Sequence, residues 1–264
     1  MGAMNTALKN PIDVGLFATC LVDLMRPSVG FAAARLLERA GCTLHVPEAQ
    51  TCCGQPAYNS GDNTDARNLA VNVIAAFEGF DYVVAPSGSC AAMIRHHYPA
   101  LFEGDATMTA RCQSLSNKTH ELLSFLTDIM GVTEFEAEFE ATATYHDSCS
   151  GLREMGIREQ PRALMAAVKG LELRESGEAQ SCCGFGGLFS VKYPEVSGRI
   201  VDAKSDAIEA TGAETLLGGD LGCLMNMSGR LRARGSAIKT RHLAEVLAGT
   251  APETPAIGEE GDKD

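Results

Sequence analysis

Apolar residues occur along the chain in two patterns, short continuous runs and longer stripes at helical spacing. The short runs end at glycine, proline or cysteine, which is typical of buried strands. The longer stripes are rich in alanine and leucine and are bounded by proline or glycine, as helices are. In chain order, the patterns predict strands over 12–19, 43–46, 82–85, 142–146, 171–174 and 214–217, and helices over 31–39, 65–77, 119–130, 161–168 and 196–210.

The order of these elements repeats, with strands and helices alternating in the same sequence in each half of the chain. Alternation of this kind favours parallel β/α layers. We therefore predict an α/β protein of two pseudo-symmetric, Rossmann-like lobes, over 12–114 and 141–249, with one cysteine motif in each. Residues 115–140 are predicted to form a helical and acidic connector. Residues 250–264 hold proline, glycine and acidic residues with little to bury, which predicts a disordered tail.

One heptapeptide occurs twice along the chain with a single conservative exchange. Glu-Ala-Gln-Thr-Cys-Cys-Gly at 48–54 returns as Glu-Ala-Gln-Ser-Cys-Cys-Gly at 178–184. Each copy has one cysteine upstream and one downstream at similar distances. The cysteines therefore form two matching sets, the first quartet (Cys20, Cys52, Cys53 and Cys90) and the second quartet (Cys149, Cys182, Cys183 and Cys223).

The outer cysteines of each quartet follow predicted strands. Cys20, Cys90, Cys149 and Cys223 all come just after the carboxyl end of a strand. Open parallel sheets bind ligands in the crevice beyond these strand ends, and the vicinal cysteines lie in loops that reach the same crevice. We therefore expect each quartet to converge into one site.

Composition and charge restrict the partners and the compartment. The formal net charge is −12, which argues against an electrostatic footprint for nucleic acid or for an anionic lipid surface. No apolar run reaches membrane-spanning length, and the first residues lack the apolar core of a signal peptide. We expect a cytoplasmic protein without membrane insertion, whose thiols stay reduced, so the cysteines indicate metal binding or redox chemistry.

The spacing of the cysteines leaves three kinds of site open. Structural zinc sites usually separate paired ligands by about two to four residues, and neither quartet contains such a pair. An iron–sulfur cluster accepts neighbouring thiolates on different irons, so the spacing favours it. The third alternative is a redox dithiol, in which Cys52 and Cys53 form a strained vicinal disulfide.

Several motifs carry a resemblance to a known family. They are Tyr-His-Asp-Ser-Cys at 145–149, Cys-Cys-Gly-Phe-Gly-Gly at 182–187, Gly-Asp-Leu-Gly-Cys-Leu-Met at 219–225 and Arg-His-Leu-Ala-Glu-Val-Leu at 241–247. With the paired Cys-Cys-Gly elements they resemble the CCG domain of the heterodisulfide reductase B subunit and of the glycolate oxidase iron–sulfur subunit. The chain is most similar to the lactate utilization protein A family, over about residues 14–247.

This resemblance implies an oxidoreductase subunit that transfers electrons within a complex oxidising L-lactate to pyruvate. It implies an iron–sulfur cluster, of the [4Fe–4S] type, bound by the quartet of each lobe. The implied partners are a ferredoxin-type iron–sulfur subunit and a third subunit of the complex. Two alternatives are a thiol–disulfide oxidoreductase of the heterodisulfide reductase kind and a non-catalytic zinc scaffold. No residue is assigned a catalytic role.

The chain departs from the full CCG motif, which ends in Cys-x-x-Cys. The first of these two positions is Ser87 in one half and Asp220 in the other. Each site then has four thiolates rather than five, which is sufficient for a cubane cluster. Ser87 or Asp220 is a possible oxygen ligand.

Four further residues have both a structural and a functional interpretation. Cys42 and Cys112 have no counterpart in the other half and are expected to be buried small hydrophobes. His146, followed by an aspartate, is either a hydrogen-bonding residue at a strand end or a group that relays protons or orients a ligand. Lys192 is either a solvated surface residue or a binding group for a carboxylate.

Overall fold

The computed structural model describes residues 12–259, which form two four-stranded parallel sheets. The first sheet has the order β2-β1-β3-β4 and the second the order β6-β5-β7-β8, so the two topologies are the same. The α/β fold class and its two pseudo-symmetric lobes are thus confirmed. The strands are β1 (Ile12–Leu16), β2 (Cys42–His45), β3 (Tyr82–Ala85), β4 (Thr119–Glu121), β5 (Glu138–His146), β6 (Lys169–Leu173), β7 (Thr215–Gly218) and β8 (Lys239–His242).

Helices cover both faces of each sheet and connect successive parallel strands. A π-helix, Met93–His97, joins the short helices Gly88–Ala92 and Tyr98–Leu101, and a second π-helix, Phe125–Ile129, continues the short helix Leu122–Ser124. The helices are α1 (Cys20–Met25), α2 (Pro27–Arg39), α3 (Gln55–Ser60), α4 (Asn63–Phe77), α5 (Gly88–Ala92), α6 (Tyr98–Leu101), α7 (Ala106–Lys118), α8 (Leu122–Ser124), α9 (Cys149–Arg153), α10 (Glu159–Ala166), α11 (Phe189–Lys192), α12 (Pro194–Glu209), α13 (Leu221–Ala233) and α14 (Leu243–Leu247).

Local sequence explains where the longer helices begin and which face they bury. Helix α2 starts at Pro27, whose fixed φ suits the first helical turn, and α4 starts after Asp62, whose side chain accepts a hydrogen bond from the Asp65 amide. The buried face of α2 follows helical spacing and packs on the first sheet: Val29, Ala32, Ala33, Leu36 and Leu37.

The two lobes share part of their apolar core. Helix α14 of the second lobe packs on α2 of the first, and α8 of the first lobe packs on α10 of the second. The same reciprocal relation holds for α5 against α9 and for α13 against α1. The largest cluster of buried residues therefore draws on both lobes, with Leu36 and Leu122 from one and Leu164 and Leu247 from the other.

The segment predicted as a connector, 115–140, differs in the structure. Residues Thr119–Glu121 form β4, which pairs in parallel with β3 and completes the first sheet. The helix predicted over 119–130 consequently begins only at Leu122. The error arose because a three-residue edge strand leaves no periodic signal, while the helix that follows it does.

The tail predicted to be disordered is packed as far as residue 259. Ala251, Ala256 and Ile257 are buried, and the Arg241 guanidinium donates a hydrogen bond to the Thr254 carbonyl at 2.8 Å. Its acidic and proline-rich composition concealed these few apolar contacts. The remainder of the predicted tail, 260–264, lies outside the described residues.

One expectation from the sequence concerned a membrane. Among the helices of residues 12–259, none has the length and apolar character that crossing a bilayer requires.

Candidate metal centres

The first quartet lies at the carboxyl edge of the first sheet. Cys20 begins α1 just after β1, and Cys90 lies in the first turn of α5 after β3. Cys52 and Cys53 come from the loop between β2 and α3. The Sγ atoms of Cys20 and Cys52 are 3.8 Å apart, and those of Cys53 and Cys90 are 3.5 Å apart. The four thiols thus meet in one place, as the strand-end argument predicted.

The second quartet has the same arrangement at the edge of the second sheet. Cys149 begins α9 after β5, Cys223 lies in the first turn of α13 after β7, and the vicinal pair precedes α11. The Sγ atoms of Cys183 and Cys223 lie within 4.8 Å of each other. Cys149 and Cys182 are close enough to shift each other's pKa, as are Cys182 and Cys183. The structure therefore brings together all eight cysteines in two equivalent sets.

A glycine after each vicinal pair fixes the path of the backbone. Gly184 has a φ of 82°, and a Cβ added there would lie 2.7 Å from the Ser197 carbonyl oxygen of α12. Gly54 has the same left-handed conformation in the first lobe. The turn aims amide N–H groups at sulfur, from Gly54 to Cys52 Sγ at 3.4 Å and from Gly184 to Cys182 Sγ at 3.3 Å.

In each quartet, hydrogen bonds favour the charged thiolate form of one cysteine. Donation from the Cys20 thiol, then from Cys53 and the Gly54 amide, lowers the pKa of Cys52. Cys182 is the corresponding residue of the second quartet, where donation from Cys149 lowers its pKa. The other thiols would have to release protons before they bind a metal, so binding of a metal at either quartet would be coupled to proton release.

The donor chemistry fits an iron–sulfur cluster. Each site offers four neighbouring soft sulfur ligands, and backbone amide N–H groups are directed at sulfur. Hydrogen bonds of this kind help to set the reduction potential of an iron–sulfur cluster. The shortest Sγ–Sγ distances, 3.5 and 3.8 Å, also approach the roughly 3.8 Å separation of sulfurs around one tetrahedral zinc with bonds of about 2.3 Å.

Ser87 and Asp220 occupy equivalent positions in the two lobes and bind each other. Ser87 Oγ donates to Asp220 Oδ2 at 3.0 Å, and the Ser89 amide donates to the same oxygen at 3.0 Å. Ser87 Oγ also accepts from the Cys90 amide at 3.3 Å, which caps α5. The sequence predicted neither the contact nor the capping role, because residues far apart in the chain carry no mutual signal.

The remaining sequence candidates separate into buried and exposed residues. Cys42 and Cys112 are buried in apolar clusters, as expected of small hydrophobes. Lys192 is exposed at the end of α11. Asp147 pairs with Arg162 at 2.9 Å, whereas His146 is buried and neither of its ring nitrogens has a hydrogen-bond partner among residues 12–259.

A cavity between the lobes adjoins the first quartet, and local sequence patterns gave no sign of it. Its volume is about 260 Å³, and mainly apolar side chains of the second lobe close it opposite the cysteines. The Phe185 ring reaches across the second-lobe wall and contacts Gly222, where a Cβ would lie 2.5 Å from the ring. The lining includes Cys20, Cys52, Cys90, Phe185, Leu188 and Val191.

Two lobes of this topology, each with a Cys-Cys-Gly turn at its sheet edge, define a protein with a duplicated cysteine-rich domain. The CCG cysteine-rich domain family matches residues 14–95 and again residues 143–228. Lactate utilization protein A of Anoxybacillus flavithermus is 48% identical over 236 residues, covering 89% of this chain and 99% of that protein. The Geobacillus protein of the same name is 49% identical over the same length. The chain belongs to the lactate utilization protein A family.

Among solved structures, a hypothetical protein from Helicobacter pylori has the same fold. The TM-score is 0.64 at 12% sequence identity, over 97% of this chain. This chain spans about half of that protein, 51% of its length.

Proposed function

We propose that this chain is the iron–sulfur electron-transfer subunit of a complex that oxidises L-lactate to pyruvate. Its relatives are named for lactate utilization, which supports the pathway. The observation that carries the redox assignment is the convergence of four thiols at the edge of the sheet, present once in each lobe.

Each quartet holds one cluster in this proposal, and a bound cluster supplies one-electron redox chemistry. The chain's own groups position the sulfurs and tune them. Strand ends fix the outer cysteines, the glycine turns fix the vicinal pairs, and the amides of Gly54, Gly184 and Phe185 donate to sulfur.

The burial of the cysteines supports exchange of electrons with another protein. Cys53 and Cys183 are 2% exposed, whereas Cys20, Cys52 and Cys182 are only partly buried. Each quartet thus has an inner side shielded from water and an outer edge that a partner can approach. We propose a ferredoxin-type iron–sulfur subunit and a third subunit of the complex as the partners.

The metal content of anaerobically purified protein tests this proposal. Two four-iron clusters give about eight irons and eight acid-labile sulfides per chain. Cys183→Ser should remove about half of both, while Cys112→Ser, at a buried cysteine outside the quartets, should leave them unchanged. Iron and sulfide counts that Cys183→Ser does not alter would contradict the assignment of the second quartet.

A zinc scaffold is the second candidate, because the shortest sulfur separations approach those around one tetrahedral ion. Zinc in stoichiometric amount without sulfide would establish it and remove the redox proposal. Metal-free protein whose thiols titrate as a reversible pair would instead favour a dithiol oxidoreductase. Deletion of the gene tests the pathway separately, since growth on L-lactate should fail where no second lactate oxidase is present.

A further inference from the structure

The two quartets have the same ligands, but the residue three positions before the first cysteine of each differs. Phe17 directly follows β1 and His146 ends β5, so each lies three residues before the first cysteine, Cys20 or Cys149. Both side chains are buried, with exposures of 0% and 1%. The fold therefore places an apolar ring beside the first quartet and an imidazole at the equivalent position beside the second.

His146 is directed at the second quartet. One of its ring nitrogens and the Sγ atoms of Cys183 and Cys223 all lie within 4.8 Å of one another. Neither ring nitrogen has a hydrogen-bond partner within residues 12–259. Burial of an unpaired imidazole costs free energy, and a group bound on these sulfurs would provide the missing partner.

A buried lysine gives a second difference between the lobes. The glycine turns pack on α4 at Ala66 and on α12 at Ser197, and seven residues further along these helices lie Val73 and Lys204. Lys204 is 2% exposed, and its ammonium donates to the carbonyls of Glu178 and Ala179, just before the second vicinal pair. The first lobe has no cation at this position.

The Asp220 carboxylate near the second quartet has the opposite charge. Its Oδ2 atom accepts hydrogen bonds from Ser87 and the Ser89 amide, which disperse part of that charge. The Lys204 ammonium lies on the same side of the site and interacts with Cys183 and Cys223 of the second quartet. The first quartet has no polar contact equivalent to His146, because Phe17 holds that position in the first lobe.

We propose that His146 contacts the group bound by the second quartet through a ring nitrogen, and that this makes the second site's reduction potential the higher of the two. This inference rests on the proposed function. Hydrogen bonds or imidazole ligation at a cluster stabilise its reduced, more negative state and raise the potential. The two sites, although alike in their thiolates, differ in how readily they are reduced.

Single-site versions of the full chain test the inequality directly. Cys183→Ser leaves the first site and Cys53→Ser leaves the second, and the potential of each is measured by redox titration followed by electron paramagnetic resonance. The expected difference is at least about tenfold in the reduction equilibrium, or about 59 mV for one electron, with the second site higher. Loaded sites of equal potential, or a higher first site, would overturn the inference.

The substitution His146→Phe, made in the Cys53→Ser chain, copies the residue of the first lobe. It should shift the reduction equilibrium of the second site about tenfold toward the oxidised state, which lowers its potential by about 59 mV. His146→Gln, which retains a polar contact, should lower the potential less. An unchanged potential with full iron content in His146→Phe would contradict the role of His146. Loss of iron from His146→Phe, with retention in His146→Gln, would support a direct contact.

The redox titrations and metal analyses also distinguish a failure of this inference from a failure of the proposed function. Absence of iron and sulfide from both single-site chains would contradict the electron-transfer function itself. Two loaded sites of equal potential would leave that function in place and remove only the inequality.

Discussion

At the scale of single residues, the two cysteine quartets depend on backbone conformation as much as on sulfur. The left-handed turns at Gly54 and Gly184 are what direct amide hydrogens at the thiolates of Cys52 and Cys182. A side chain at either glycine would strain the turn and displace the sulfur ligands from the N–H donors that favour their charged forms.

Gly184→Ala should therefore impair the second site. The new Cβ would lie 2.7 Å from the Ser197 carbonyl oxygen, and left-handed backbone costs an alanine about 1–2 kcal/mol before any clash. We expect a loss of that order or more in the free energy of unfolding, measured by urea denaturation. Metal analysis should show the loss of about half of the iron that the proposed clusters would hold.

The matched control is Gly198→Ala in α12, where an added Cβ meets nothing within 4 Å. It should stabilise the protein slightly, by about 0.5–1 kcal/mol, because alanine is the better helix former. Equal losses of stability in both variants would contradict the steric explanation.

At the scale of elements, reciprocal helix packing joins the lobes, and one ion pair reinforces it. Arg26, between α1 and α2, pairs with Glu245 of α14 at 2.9 Å, and Ser28 donates to the same carboxylate at 2.7 Å. The Glu245 side chain is 0% exposed, and within residues 12–259 its carboxylate accepts side-chain hydrogen bonds from these two residues of the other lobe.

Arg26→Ala should destabilise the protein by about 3–5 kcal/mol, because it leaves the Glu245 carboxylate buried without its counter-charge. The comparison is Arg111→Ala, which removes a partly exposed pair with Glu78 and should cost at most about 1 kcal/mol. Urea denaturation monitored by circular dichroism measures both. A loss at Arg26 no larger than that at Arg111 would show that helix packing alone holds the lobes together.

Local sequence patterns predicted some of these elements and missed others. Local periodicity predicted the longer strands and helices. The rule that parallel strands end at one edge predicted the convergence of Cys20 with Cys90. Strand β4 and the packing of Ile257 were missed, because their stability comes from partners far along the chain. The Ser87–Asp220 contact was missed for the same reason.

At the scale of the whole molecule, stability should respond to pH through a group at the boundary between the lobes. Burial raises the pKa of the Glu121 carboxyl from 4.5 to about 7. The amides of Leu123 and Ser124 donate hydrogen bonds to this carboxyl and lower its pKa, but burial has the larger effect. The folded state thus binds this proton more tightly than the unfolded state. The resulting stabilisation is fully present below about pH 4.5 and is lost as the pH rises through about 7.

Glu121→Gln removes this titration. Relative to the variant, the natural protein should lose on the order of 3 kcal/mol of unfolding free energy between about pH 4.5 and 7, since each pKa unit corresponds to about 1.4 kcal/mol. Urea titrations at a series of pH values provide the measurement, and Glu159→Gln, at an 80% exposed side chain, is the control. Parallel pH curves for the natural protein and Glu121→Gln would contradict the assignment.

The contact between Ser87 and Asp220 also has a consequence for the symmetry of the molecule. The two residues hold the same place in their repeats and touch each other, so they lie at the axis that relates one repeat to the other. In a homodimer of identical repeats, this position would face its own copy, hydroxyl against hydroxyl or carboxylate against carboxylate. Joining the repeats in a single polypeptide lets the two halves change independently, and an unlike pair of donor and acceptor can then form on the axis itself.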